Sequence, residues 1–250
     1  RDLHTAYRRQ RQICIRDRHS TVVWIIKVDI MLNQIYTQYI INFEKNDDIM
    51  DSLALFQEKL QPFFDRKAYT IIGIPDNIPV PPDAARIIAI SSNGHSSMEV
   101  SLSQIRLNTK FDSAYEGDLN KCQEYMEGRI KAINEIAEDV LNHRIFFNGV
   151  ISQFIDPDIS NPTDYIMNHQ YKKDIKRDNL FDVLTKFTYV YSDQYYINST
   201  ISNIRKDKTR ESFGIQLDVN NRYFSNFNED HRYVCLLYTS DAADDMQCVD

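Results

Sequence analysis

Residues 85–102 read ARIIAISSNGHSSMEVSL, two apolar runs on either side of a polar centre. ARIIAI and SMEVSL have the short, β-branched character of strands on a pleated, half-buried surface. Asn93-Gly94 between them supplies the positive φ angles that a type I′ turn demands. The segment therefore predicts an antiparallel hairpin, and the rest of the chain can be read outward from it.

Downstream, Met98, Val100 and Leu102 share one face, whereas Ile105 and Leu107 have the opposite parity. A bulge or turn near Ser103 restores the register. Upstream, YTIIGI is a short strand, and the four prolines of PDNIPVPPD (75–83) mark an extended surface loop, because proline offers no amide to a sheet. Nearer the start, Val22, Trp24, Ile26, Val28 and Ile30 alternate as a strand. Ile35, Thr37, Tyr39, Ile41 and Phe43 do the same, with Asn33 in the link between the two.

Two stretches change to helical period. Ile49, Leu53, Phe56, Leu60 and Phe63 follow the capping candidates Asn46 and Asp47, and Pro62 marks the end. Residues 118–143 (DLNKCQEYMEGRIKAINEIAEDVLNH) form the longest helix, with a buried stripe of Leu119, Cys122, Met126, Ile130, Ile133, Ala137, Val140 and Leu141. Cys122 in that stripe reads as a small buried hydrophobe. Gly128 costs a helix about 1 kcal/mol against alanine and suggests the close approach of a neighbour.

RIFFNGVISQFI (144–155) reads as a buried strand and DPDISNPTD (156–164) as a boundary loop, with a short helix around Tyr165–His169. TKFTYVYS, YYINSTISNI and SFGIQLDV then alternate as an antiparallel meander, turning at Ser192-Asp193 and at RKDKTR. The expected class is α+β: antiparallel sheet with one medium and one long helix. Strand and helix order hints at two related units, 18–155 and 156–234, the second truncated.

The two ends of the chain stand apart. Codons chosen for RDLHTAYRRQRQICIRD (1–17), read on the opposite strand, encode CLLYTSDAADDMQCVD (235–250) apart from one base at Ile13. That DNA resembles the adapter of transposase-based sequencing libraries, which implies that both flanks are translated adapter rather than native protein. Arg8, Arg9 and Arg11 then give no nucleic-acid arm. Of Cys14, Cys122, Cys235 and Cys248 only Cys122 counts, too few for a disulfide framework or a cysteine-rich metal site.

Common site motifs are missing from the text: there is no phosphate-binding glycine loop and no HExxH. Asp156, Asp158, Ser160 and Asp164 imitate a calcium loop, but Asn161 occupies the glycine position and Met167 that of the distal glutamate. No metal or other cofactor is expected. SSNGHSS places His95 among serines, a grouping that solvation of a hairpin tip explains better than a nucleophile–base pair. The candidate site residues are accordingly His95 and His143, for a site assembled from distant groups, and the basic cluster Lys172, Lys173, Lys176 and Arg177. Interleaved Asp174 and Asp178, and a net charge of −7, argue against nucleic acid as the partner. No apolar run reaches membrane-spanning length, and the lone cysteine favours the cytoplasm. Asn198-Ser199-Thr200 matches a glycosylation sequon but reads as strand.

IPVPPDAARIIAISSNGHSSMEVSLSQIRLNTKF, followed by CQEYMEGRIKAINEI, resembles an uncharacterised, sporadically distributed bacterial protein family. Members share a proline-rich lead into a strand, an Asn-Gly hairpin and a long helix. Ala85-Arg86 stands here where Pro-Arg is expected. These motifs are structural, and the resemblance implies no catalytic residue. The expected function is a non-catalytic binding or adaptor role with a protein partner. The alternative is an enzyme whose site is built from distant His, Asp and Glu side chains.

Overall fold

The computed structural model describes residues 32–74, 79–115, 117–141, 145–171, 180–191, 195–205 and 211–221. The expected strand at Val22–Ile30, both flanks, His143 and the cluster Lys172, Lys173, Lys176 and Arg177 lie outside the described residues.

The chain runs β1 (Asn33–Phe43), a 3-10 turn (Ile49–Ser52) leading into α1 (Leu53–Lys59), β2 (Tyr69–Ile71), β3 (Ala85–Ile90), β4 (Ser96–Ser101) and β5 (Gln104–Lys110). Then follow α2 (Leu119–Leu141), β6 (Ile145–Asp156), α3 (Pro162–Gln170), β7 (Leu184–Tyr191), β8 (Tyr195–Arg205) and β9 (Glu211–Asn220). The nine strands of the described residues form one antiparallel sheet in the order β2-β3-β4-β5-β1-β6-β9-β8-β7. The fold is α+β. Each half starts with a strand, passes through a helix and returns by a meander whose last strand lies beside its first. These two halves share one sheet, joined at its centre by the β1–β6 pair; the expected boundary at 155/156 instead falls at the end of β6.

Register explains the core. Tyr39 faces Leu107 on one side and Val150 on the other. The same row continues through Met98, Ala89 and Tyr69 in one direction, and through Val219, Ile197 and Tyr189 in the other. Because side chains alternate across a sheet, this row shares its face with the apolar row Ile41, Ile105, Val100 and Ile87 on one side and with the buried polar row Thr37, Thr109, Ser96 and Ser152 on the other. Phe56, Leu60 and Phe64 of the α1 region and Cys122, Met126, Ile130, Ile133 and Ile136 of α2 bury against this face. The adjacent row is mostly polar: Ser97, Asn108, Gln38, Asp218, Asn198 and Thr188, with Ile151 within it and Ile90 at its β3 end. Tyr36 and Gln38 both bond to Asn108 Oδ1 at 2.8 Å, and Gln153 donates to Gln216 at 3.0 Å.

Several expectations need local correction. Asn33 belongs to β1, where it faces Ile155, rather than to a link. Leu119 is 38% exposed because α2 begins there, before its stripe reaches the sheet. Phe64, not Phe63, is the fully buried ring after α1. The hairpin lies where Asn93-Gly94 placed it, but Ser91 and Ser96 are already paired (Ser91 N to Ser96 O, 2.8 Å), so four residues form the link. Gly94 donates to Ser91 O at 2.8 Å and takes φ +73°, the conformation that glycine adopts at no steric cost. Between β4 and β5, Leu102 and Ser103 reverse the chain, which accounts for the change of parity.

Candidate functional site

His95 closes the β3–β4 link and leans toward α2. Its Nδ1 lies 3.2 Å from Lys110 O, and its Nε2 lies 3.7 Å from the Asp112 carboxylate. The Tyr115 and Tyr125 rings approach it edge-on, with centroids at 5.5 and 6.3 Å. Phe111 completes a cluster in which Tyr115 and Tyr125 also meet edge to face at 5.5 Å. Such pairs contribute about 0.5–1.5 kcal/mol each beyond their burial. Burial raises the Tyr115 hydroxyl pKa, with the neighbouring Tyr125 adding to the effect.

The serines around His95 are engaged elsewhere. Ser96 Oγ pairs with Thr109 Oγ1 at 2.8 Å and donates to the Tyr125 hydroxyl at 3.2 Å. Ser91 Oγ donates to Asn93 Oδ1 at 2.7 Å and receives Ser96 N at 2.9 Å. Among the described residues no hydrogen bond joins His95 to a serine; the Ser91 and Ser96 hydroxyls are held by these other partners. Lys121 sits 4.8 Å above the Tyr115 ring, and Arg129 lies 3.5 Å from Tyr125 and 4.7 Å from Phe63. The rings are therefore packed against one another and against cations already present. Chemically this is a latch between hairpin tip and helix.

A concave surface lies elsewhere. A cleft of about 510 Å3 opens between the 3-10 turn and the end of α2, lined by Glu44, Asp48, Asp51 and Asp139 among others. Lys59 ion-pairs with Asp139 at 3.9 Å and with Glu135 at 3.6 Å. Among the described residues no three His, Cys, Asp or Glu side chains converge as metal ligands. The residues that imitated a calcium loop serve local structure: Asp156 is buried and accepts Asp158 N at 2.9 Å, while Asn161 caps α3 by accepting Asp164 N at 3.1 Å. His169 stacks on Tyr165 at 4.2 Å, and its Nδ1 lies 2.8 Å from Tyr165 O.

Cys122 is fully buried, and desolvation pushes its thiol up to about 11, which is the environment of an inert thiol. Tyr125, Tyr115, Asp112 and Arg129 had not been singled out in the sequence. The spacing of Tyr125 and Arg129, four apart on one helix face, was the signal available for that pair.

The remaining feature is the sheet's outer edge. Among the described residues β7 is terminal, with β8 on one side and no strand on the other. Leu184 and Val190 stand 63% and 49% exposed on it, in line with Lys186 and Thr188. No helix of the described residues is long and apolar enough to cross a membrane. No family model and no curated protein matches this chain.

Proposed function

We propose that this chain is a non-catalytic binding protein that accepts an extended strand of a protein partner along β7. One observation carries the reading: an eight-residue outer strand without proline or glycine, with Leu184 and Val190 exposed. Strand addition supplies main-chain hydrogen bonds for affinity and alternate side-chain contacts for selectivity. Each such bond contributes about 1 kcal/mol net, so a ladder along β7 offsets part of the cost of ordering a peptide.

The enzyme reading calls for a histidine beside carboxylates in a concave site. The cleft carries the carboxylates Glu44, Asp48, Asp51 and Asp139, but His95 is not among its lining residues, so the two kinds of group do not meet there. The flanks 1–17 and 235–250 are taken as translated adapter.

Selection of displayed twelve-residue peptides on the immobilised full chain tests the reading. Peptides with alternating apolar residues should be enriched on the wild type and lost on the double variant Leu184→Lys, Val190→Lys, whose unfolding midpoint stays unchanged. Failure to select any peptide, or peptides indifferent to the double variant, refutes it.

A further inference from the structure

The two ends of the strand order are built differently. β2 has three residues, and Gly73, Pro79, Pro81 and Pro82 follow it. Short edges close to proline resist the addition of another strand. β7 has eight residues and only Lys186 as a deterrent charge. One edge is blunted and the other is not.

We infer that β7 receives β7 of a second copy of this chain, antiparallel and centred on Phe187. This rests on the reading of β7 as the binding edge and names its occupant. An antiparallel pair of identical strands related by a two-fold axis sets one residue opposite its own copy, and every other residue opposite its mirror position. Centring on Phe187 sets Lys186 opposite Thr188, Thr185 opposite Tyr189 and Leu184 opposite Val190. The strand is matched about that point. Lys186 and Thr188 are exposed and polar, Thr185 and Tyr189 are half-buried and carry hydroxyls, and Leu184 and Val190 are exposed and aliphatic.

The neighbouring registers are worse. Centring on Lys186 places two ammonium groups directly opposite each other, which is destabilising. Centring on Thr188 sets Lys186 against Val190 and leaves Leu184 facing position 192, beyond the strand's end. Only the Phe187 register both separates the charges and covers the two exposed aliphatic side chains with each other.

Sedimentation equilibrium of the full chain, wild type against Thr188→Glu and Thr188→Lys, tests the pairing. Both variants lose the same 2.8 Å hydrogen bond from Thr188 to Asn198, so their folding cost is shared. The wild type should show a concentration-dependent monomer–dimer equilibrium. The Glu variant should dimerise roughly tenfold more tightly than the Lys variant, because symmetry makes two contacts with Lys186. A chain that stays monomeric at every concentration, or variants of equal or reversed affinity, overturns the self-pairing. If the monomer still selects extended peptides, the binding edge stands and only the second copy falls. If it selects none, both fall.

Discussion

The Arg129 guanidinium stacks 3.5 Å from the centroid of the Tyr125 ring and forms no ion pair with a carboxylate among the described residues. Phe63 covers it at 4.7 Å, Nη1 donates to Tyr125 O at 2.5 Å, and Nε is buried without a partner. Desolvation lowers its pKa. A buried charge held this way contributes through its stem and stacking rather than through ion pairing.

Replacing Arg129 therefore separates packing from charge. Arg129→Met fills the same slot between two rings with a polarizable side chain and removes the unbonded Nε. Its unfolding free energy should fall within about 1 kcal/mol of the wild type. Arg129→Ala empties the slot and should cost about 2–4 kcal/mol. Urea unfolding of both variants checks this, and a Met variant as damaged as the Ala variant would show that the charge matters.

Cys122 links stability to alkaline pH. Its thiol is raised from 9.0 to about 11 by burial, so the folded chain keeps a proton that the unfolded chain releases. The stability associated with this group is fully present below about pH 9 and is lost as pH rises through about 11. The loss is on the order of 2 kcal/mol. In a background with Cys14, Cys235 and Cys248 replaced by serine, Cys122→Ala should flatten that part of the pH dependence. Thiol labelling of the native chain at neutral pH should also be slow; rapid labelling would contradict the burial.

Some of this was legible in the residues and some was not, for identifiable reasons. Alternation at Phe213, Ile215, Leu217 and Val219, and the helical stripe from Cys122 to Leu141, are short-range signals, and both elements formed where they were expected. Sheet order is long-range. Nothing local in β1 states that Tyr39 pairs with both Leu107 and Val150, so neither the central β1–β6 pair nor the outer position of β7 could be read beforehand. The Asn-Gly dipeptide marked a turn but not its length, because Ser91 and Ser96 closed the ladder around four residues. His95 was visible as a lone histidine. Its neighbours Asp112, Tyr115 and Tyr125 come from the chain after β5 and from α2, brought together only by folding.

Gly214 sits in β9 opposite Ser202, next to the Ile204 side chain. A Cβ there would lie 2.2 Å from Ile204 Cδ1 and 3.2 Å from Ile204 Cβ. The tip can rotate away, but the Cβ is tied to the β8 backbone. Gly214→Ala should destabilise by about 1–3 kcal/mol, and combining it with Ile204→Ala should recover part of that loss. Additive costs in thermal unfolding would rule out the clash as the cause.

Gly128 gives the finest test of helix against packing. Alanine in mid-helix gains about 1 kcal/mol over glycine, yet an added Cβ would meet Phe63 Cζ at 2.9 Å and Cε1 at 3.3 Å. Phe63 is only partly buried, but its other face rests against Arg129, so retreat gives up the 4.7 Å stacking contact. The two effects are of similar size, and Gly128→Ala alone should change stability by less than about 0.5 kcal/mol. With Phe63→Ala the obstacle is gone and the same substitution should stabilise by about 1 kcal/mol. A double-mutant cycle in urea reads the coupling directly. Zero coupling would mean that Phe63 moves aside without cost and that glycine at 128 is not required by this contact.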